Sequence, residues 1–299
     1  MDSVWRSSTI DHMTNQDYIL DLPMCVYNHE KYIAQAIEGV VGQRTSFKYR
    51  LLIGEDCSPD KSRKIIEKYV SLYPDKIVPF FYPKNIGVIE NSKTLLKACT
   101  SKYIALCDGD DYWTDPFKLE QQIRFLEENP SFVGCFHNAE ERYEEDPQAA
   151  SFLYCNFPAA RAISFKDLSS GNLMPTCSVV YRNGLFGEFP HWYYTLRMGD
   201  WPLHLLNAQF GDFWYIPKIM GVHRLHHSSA WMLQDAERNN KFIEDAYDVM
   251  IEGFSGNPDH VGFLKAGKKY FLEGVQQEKK AAGMKAKMKD LMIRQIRKL

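Results

Sequence analysis

The sequence predicts an α/β fold: a mainly parallel sheet flanked by helices, with further helices at its C-terminal end. Between residues 18 and 136 short apolar runs alternate with longer amphipathic ones, the pattern of strands joined by crossover helices. An acidic cluster, Asp108-Gly109-Asp110-Asp111, stands where one of those apolar runs stops, and open α/β sheets collect ligands beyond the carboxyl ends of their strands. A chain of 299 residues that is 45% hydrophobic can bury the core of one large domain.

The first strand is expected at 19–26, although Pro23 within it cannot donate to a sheet ladder. A helix over 28–41 follows, because Tyr32, Ile33, Ala36, Ile37 and Val40 fall on one face. The second strand, 49–54, ends in Glu55-Asp56; the next helix, 60–72, turns Ile65, Ile66, Tyr69 and Val70 inward. A third strand at 77–82 leads through the turn Asn85-Ile86-Gly87 to a helix at 90–99 and a strand at 103–107. A helix at 115–128 and a strand at 132–136 close this half.

Residues 140–160 are polar and open with the acidic stretch Glu140-Glu141-Arg142-Tyr143-Glu144-Glu145-Asp146, which reads as a solvated excursion. Residues 161–231 are mixed and rich in aromatics; Trp192, Tyr193, Tyr194, Trp201 and Trp231 suit either sugar-stacking surfaces or core. Helices are expected at 237–254 and 260–278. The predicted organisation is a tail at 1–17, a nucleotide-binding half at 18–136, an acceptor half at 137–235 and C-terminal helices at 236–299.

In the last stretch eight basic residues, Lys279, Lys280, Lys285, Lys287, Lys289, Arg294, Arg297 and Lys298, face one acid, Asp290. Met284, Met288, Leu291, Met292, Ile296 and Leu299 supply an apolar face, as in helices that lie on anionic membranes; a solvated helix packed on its own domain is the other reading. No run of about eighteen apolar residues is present, and residues 1–17 lack the apolar stretch of a signal peptide. Seven cysteines without a Cys-x-x-Cys pair suit a reduced compartment, so the expected location is the cytoplasm, peripheral at the inner face of its membrane. With 36 basic against 38 acidic residues, no overall field marks a nucleic-acid binder.

Three carboxylates in four residues repel one another unless a cation neutralises them. Oxygen-rich clusters suit Mg²⁺ or Mn²⁺, which also bind substrate phosphates, while an acidic turn is the simpler alternative. The segment 108–119 (DGDDYWTDPFKL), with Val26-Tyr27-Asn28-His29-Glu30 and Glu55-Asp56-Cys57-Ser58-Pro59-Asp60 upstream, resembles glycosyltransferase family 2, whose members have the GT-A fold. The resemblance covers 18–136 and, more loosely, 195–231.

By that resemblance Val26 and Tyr27 lie beside the base of a nucleotide-sugar donor, expected to be UDP-linked, and Asp56 hydrogen-bonds it; Asp108 approaches the ribose. Asp110 ligates the metal on the diphosphate with Asp111 in support, and His226, with His223 as substitute, completes the site. Asn91, after the family's Asn-x-Gly turn, touches the nucleotide; Arg224 could clamp phosphate. Cys25-Val26-Tyr27-Asn28 departs from the Pro-Thr-Tyr-Asn of many relatives, which removes a hydroxyl contact to the base. Tyr27 could equally be core and Asp56 a turn residue.

Asp200, in Met198-Gly199-Asp200-Trp201-Pro202, matches the family's general base. A sugar hydroxyl is a poor nucleophile at neutral pH, and an aligned carboxylate that takes its proton lowers the barrier. The implied activity is inverting transfer to a glycan or lipid-linked glycan. A phosphohydrolase with an aspartate nucleophile usually carries threonine or valine after its second acid, where Tyr112 follows Asp111 here. A sugar-nucleotide-binding relative without turnover would lack catalytic acids, and these are present.

Overall fold

The computed structural model describes residues 18–146, 148–227 and 235–296, with side chains in the last helix described as far as 281. The expected tail, Trp231 and the apolar and basic side chains from Met284 to Leu299 lie outside the described residues. The strands are β1 (Tyr18–Val26), β2 (Lys48–Glu55), β3 (Ile77–Phe81), β4 (Tyr103–Ala105), β5 (Tyr112–Trp113), β6 (Gly134–Tyr143), β7 (Phe152–Leu153), β8 (Arg161–Ile163), β9 (Val180–Arg182) and β10 (Phe213–Leu225). The helices are α1 (Ile33–Val41), α2 (Ser62–Leu72), α3 (Val88–Ala98), α4 (Lys118–Glu128), α5 (Phe165–Leu168), α6 (Asp200–Ala208), α7 (Ala236–Gly253) and α8 (Pro258–Ile296).

One sheet in the order β3-β2-β1-β4-β9-β6-β10-β5 runs through the molecule, with β7 added on β6 and β8 on β10. From β3 to β4 every pairing is parallel. Beyond β4 the sheet is mixed: β9 runs antiparallel to β4 and β6, whereas β10 is parallel to β6 and antiparallel to β5 and β8. The chain goes from β1 outward to β3 and then returns to β4 on the other side of β1. That reversal opens a crevice beyond the carboxyl ends of β1 and β4, where Tyr27 and Asp108 lie.

Pro23 pairs with Leu52 on β2 and lies past the two residues, Leu20 and Asp21, where β1 pairs β4, so no ladder bond to β4 is missed. Helix α1 buries Ile33, Ala36, Ile37 and Val40 on the face expected, but starts five residues late because Asn28 takes a left-handed backbone, φ 61°, that turns the chain off β1. Two apolar clusters form the core, one between β1, β2, α1 and α4, the other under α6, α7 and the 165–181 region.

The acidic stretch at 140–146 is only in part a solvated excursion: Arg142, Tyr143, Glu145 and Asp146 are exposed, but the stretch begins within the sheet. Strand β6 continues through Tyr143, pairing Glu140, Glu141, Arg142 and Tyr143 with Val222, His223, Arg224 and Leu225 of β10. Its carboxylates meet cations and donors there: Glu141 lies 3.2 Å from His223 Nδ1, Glu144 accepts from Arg224 Nε at 2.8 Å, and Glu145 accepts from the His227 amide at 2.9 Å. In this register Glu141 stands opposite His223, an acid against an imidazole, whereas Arg142 stands opposite Arg224, whose guanidinium is met by Glu144.

Candidate active site

The loop after β4 is pressed against the end of β1. The Gly109 amide donates to the Cys25 carbonyl at 3.2 Å, and the Asp111 amide closes the turn on Asp108 at 3.2 Å. A Cβ on Gly109 would come within 2.8 Å of Val26 Cγ2 and 2.9 Å of His29 Nδ1, so this approach requires glycine.

Burial and the charges of Asp110, Asp111 and Asp200 push the Asp108 carboxyl well above the usual carboxylate range. Burial also works against an ionised Asp110, but His29 and His226 outweigh it and hold that carboxyl down at about 2. Asp110 Oδ2 lies 3.2 Å from His226 Nε2 and 3.6 Å from His29 Nε2. Asp111 is 3% exposed, and its Oδ1 accepts from the Arg224 amide at 2.9 Å, which ties it to β10 instead of opening it to a ligand; burial raises it to about 6.

Asp200 opens α6 on the opposite wall. Its Oδ2 accepts from Asn172 Nδ2 at 2.7 Å and from Thr176 Oγ1 at 3.1 Å, and Tyr193 steadies the preceding turn by donating to the Gly199 carbonyl at 2.9 Å. Two adjoining hollows, of about 430 Å³ and about 540 Å³, both have Asp108, Thr176, Met198 and Asp200 in their walls. The smaller reaches Cys25, Val88, Arg197 and Asn239; the larger takes in Asp110, Glu141, His223 and the side chains Ile243, Tyr247 and Phe271 of the C-terminal helices. Asp200 therefore stands at the junction of the two spaces.

Several expected ligand contacts belong to the scaffold. Asn91 is 1% exposed and its amide donates to the Gly54 carbonyl at 2.8 Å, locking α3 onto β2 away from the cleft. Val26 is 1% exposed in the core, and its carbonyl takes the Asp56 amide at 2.9 Å. Asp56 is 2% exposed and spends both oxygens on the turn before α3, accepting from the Ile86 amide at 2.7 Å and from Gly87, with φ 86°, at 2.9 Å. The turn reading of Asp56 fits this geometry.

Arg224 lines the larger hollow with its guanidinium already engaged by protein groups. Its guanidinium, stacked 4.3 Å from the Tyr112 ring and 5.2 Å from that of Tyr32, donates to Glu144, to the Asp110 carbonyl and to Gln35. A fork with one partner on each of its three nitrogens is a staple that fixes the acidic loop against β10 and α1. Tyr27, by contrast, is exposed at the mouth of the crevice. Of the described aromatics, Tyr193 and Trp201 are buried and Trp192 and Tyr194 half-buried: Trp201 is 2% exposed, donates to the Leu168 carbonyl at 2.8 Å and meets the Tyr247 ring edge-on at 4.9 Å.

His29, Asn172, Thr176, Glu141 and Arg197 have no part in the sequence-based site. His29 directly follows the turn off β1, and a dense run of imidazoles such as 223–227 demands acidic partners, which points back to 140–146. Arg197 lies over the Phe242 ring at 4.6 Å and has no ion pair among the described residues, which leaves its charge for the hollow it lines.

The family model for glycosyl transferase family 2 matches residues 22–186. The chain belongs to glycosyltransferase family 2. Among its relatives, the Mycobacterium tuberculosis uncharacterized protein Rv1520 is 36% identical over 219 residues, which is 73% of this chain and 62% of that protein. The chain thus spans less than two thirds of that relative's length. The minor teichoic acid biosynthesis protein GgaB of Bacillus subtilis is 33% identical over 120 residues, covering 40% of this chain and 13% of GgaB.

Among solved structures, S. aureus TarS 1–349 in complex with UDP-GlcNAc superposes with a TM-score of 0.59 at 17% identity, over 78% of this chain and 66% of that one. The mannosyltransferase PcManGT from Pyrobaculum calidifontis, in complex with GDP-Man and Mn²⁺, gives 0.56 at 12% identity, over 85% and 69%. At such identities the likeness concerns the fold, and the fold is that of the GT-A glycosyltransferases. In this family 2 chain, the acidic loop and Asp200 face each other across the crevice that the strand reversal creates.

Proposed function

We propose that this family 2 protein transfers a sugar from a nucleoside diphosphate, UDP in the first instance, to a hydroxyl of a glycan or lipid-linked glycan, with inversion at the anomeric carbon. The observation that carries the reading is Asp200 at the junction of two hollows, with the acidic loop lining both. Nucleotide-sugar complexes of TarS and PcManGT, and the teichoic acid role in the name of GgaB, favour a nucleotide-sugar donor and a cell-surface polymer as product.

Asp200 Oδ1, which has no hydrogen-bond partner among the described residues, takes the proton of the acceptor hydroxyl as its oxygen attacks the anomeric carbon. The bond from that carbon to the diphosphate oxygen breaks on the opposite face, and the electron pair leaves with the nucleoside diphosphate. Arg197, at the rim of the smaller hollow, is placed to bind the diphosphate of the donor. The C-terminal helices close the larger hollow, which we assign to the acceptor.

A divalent ion fits this donor set. Burial and then the charges of Asp110, Asp111 and Asp200 raise Asp108, a repulsion that a cation would relieve, and Asp110 presents a partly exposed carboxylate beside it. Among the described residues no three histidine, cysteine or acidic side chains converge on one point, so Asp108 and Asp110 would hold Mn²⁺ or Mg²⁺ only with phosphate and water oxygens completing the shell, as Mg²⁺ ordinarily binds. Asp111 and His226 then act through Arg224 and Asp110 and not as ligands. Such an ion, when bound, neutralises charge developing on the diphosphate.

No helix of the described residues is long and apolar enough to cross a membrane. The basic, amphipathic sequence at 279–299 is the part assigned to an anionic membrane surface, which would bring a lipid-linked acceptor to the cleft. The test is thermal unfolding against a panel of nucleoside diphosphates, each with and without Mn²⁺, since a ligand of the folded state raises the melting temperature. A Mn²⁺-dependent rise with UDP that is lost in Asp110→Ala supports the donor site; no rise with any nucleotide removes it.

A further inference from the structure

We infer that Asn172 and Thr176 are positioning residues that hold the Asp200 carboxylate in one orientation, with Oδ1 turned to the acceptor hydroxyl. The inference rests on Asp200 being the base. Asp200 is the first residue of α6, directly after the N-cap Gly199, and its side chain makes no capping hydrogen bond to its own helix. It reaches instead across 28 and 24 residues of chain to Asn172 and Thr176, both on the same oxygen.

Neither contact can be reversed. Asn172 Oδ1 accepts from the Met174 amide at 3.3 Å, so a flipped side chain would set donor against donor there and carbonyl against carboxylate at Asp200. Thr176 Oγ1 can only donate to a carboxylate oxygen. The segment that carries both is itself fixed: Met174 is fully buried, and Ser178 returns to the Pro175 carbonyl through its amide at 2.9 Å and its hydroxyl at 2.6 Å.

A carboxylate with two donors on one oxygen cannot rotate without losing both, so its other oxygen keeps a constant direction. That direction matters because a general base works only within hydrogen-bond reach of the proton it removes. The donors are uncharged, so they orient Asp200 without giving it a counter-ion of the kind that holds Asp110 low.

The experiment measures UDP release from UDP-glucose, UDP-galactose and UDP-N-acetylglucosamine, with p-nitrophenyl glycosides as acceptors, for wild type, Asn172→Ala, Thr176→Val, Thr176→Ser and Asp200→Asn. The expected result is a fall in kcat of about tenfold or more for Asn172→Ala and Thr176→Val, with donor KM within about twofold and Thr176→Ser restored close to wild type. Thr176→Val keeps the side-chain shape, so it carries the test even if Asn172→Ala folds poorly. Unchanged kcat in folded Thr176→Val and Asn172→Ala, while Asp200→Asn has lost transfer, overturns the positioning role alone. Transfer retained by Asp200→Asn overturns the base reading and the positioning role with it.

Discussion

The carboxylates after β4 stand among one another and among imidazoles, whereas Asp200, across the same cleft, is held by an amide and a hydroxyl. The first arrangement concentrates charge: burial and its acidic neighbours drive Asp108 up, and Asp110 is kept ionised by His29 and His226 against its own burial. The second arrangement fixes direction and adds no charge. Charge is what a diphosphate and its cation need, and direction is what a proton acceptor needs. On the proposed function, the difference between the two walls is a division of labour between holding the donor and activating the acceptor.

The comparison breaks most visibly at Asp110. Asp110→Ala is expected to lower transfer by about 10³-fold and to abolish the Mn²⁺-dependent thermal shift with UDP, because the cation's contribution is several kcal/mol. A Mn²⁺ titration of both proteins checks it, and an unchanged shift would place the cation elsewhere. Arg224→Ala tests the scaffold of the same wall. Removing a buried guanidinium from Glu144, Gln35 and the Asp110 carbonyl is expected to cost about 3–5 kcal/mol in urea unfolding. A mere rise in donor KM with unchanged stability would restore Arg224 to phosphate binding.

On the Asp200 side, His204 lies one turn along α6, fully buried, with neither ring nitrogen hydrogen-bonded. Burial lowers its pKa from 6.5 to about 4, against the pull of Asp200. The unfolded chain therefore takes up a proton near pH 6.5 that the folded chain refuses until about pH 4. Stability is full above that window and falls through it as pH drops, by about 3 kcal/mol. Denaturant unfolding between pH 7 and pH 4 should show a shallower fall in His204→Leu. The smallest effect is expected at Arg197: Arg197→Ala should raise donor KM about tenfold and leave kcat nearly unchanged, since one charge-assisted contact is lost. Steady-state kinetics with varied donor settles it, and a loss in kcat alone would move Arg197 to the leaving-group step.

Residues 18–136 were legible because most elements there follow one period. Residues 33–40 are helical by their apolar spacing, and Asp108 stands at a strand end by simple order along the chain. The register of β6 against β10 was not legible, because the partner of Glu144 is Arg224, 80 residues away, and no local pattern announces it. The same limit explains Asn91, Asp56 and Arg224. Their places along the chain follow from sequence, but whether a polar group faces ligand or backbone depends on what the tertiary fold sets within 3 Å of it. Asn172 and Thr176 lie in an irregular stretch without period, and only the folded chain brings them to Asp200.

The division between the two walls is tested most directly in Asp200→Asn, by measuring transfer from the donor and the thermal shift with UDP and Mn²⁺ on the same preparation. The account predicts transfer reduced by about 10²-fold or more with the thermal shift intact. Transfer near the wild-type rate, or a thermal shift lost together with transfer, would contradict it.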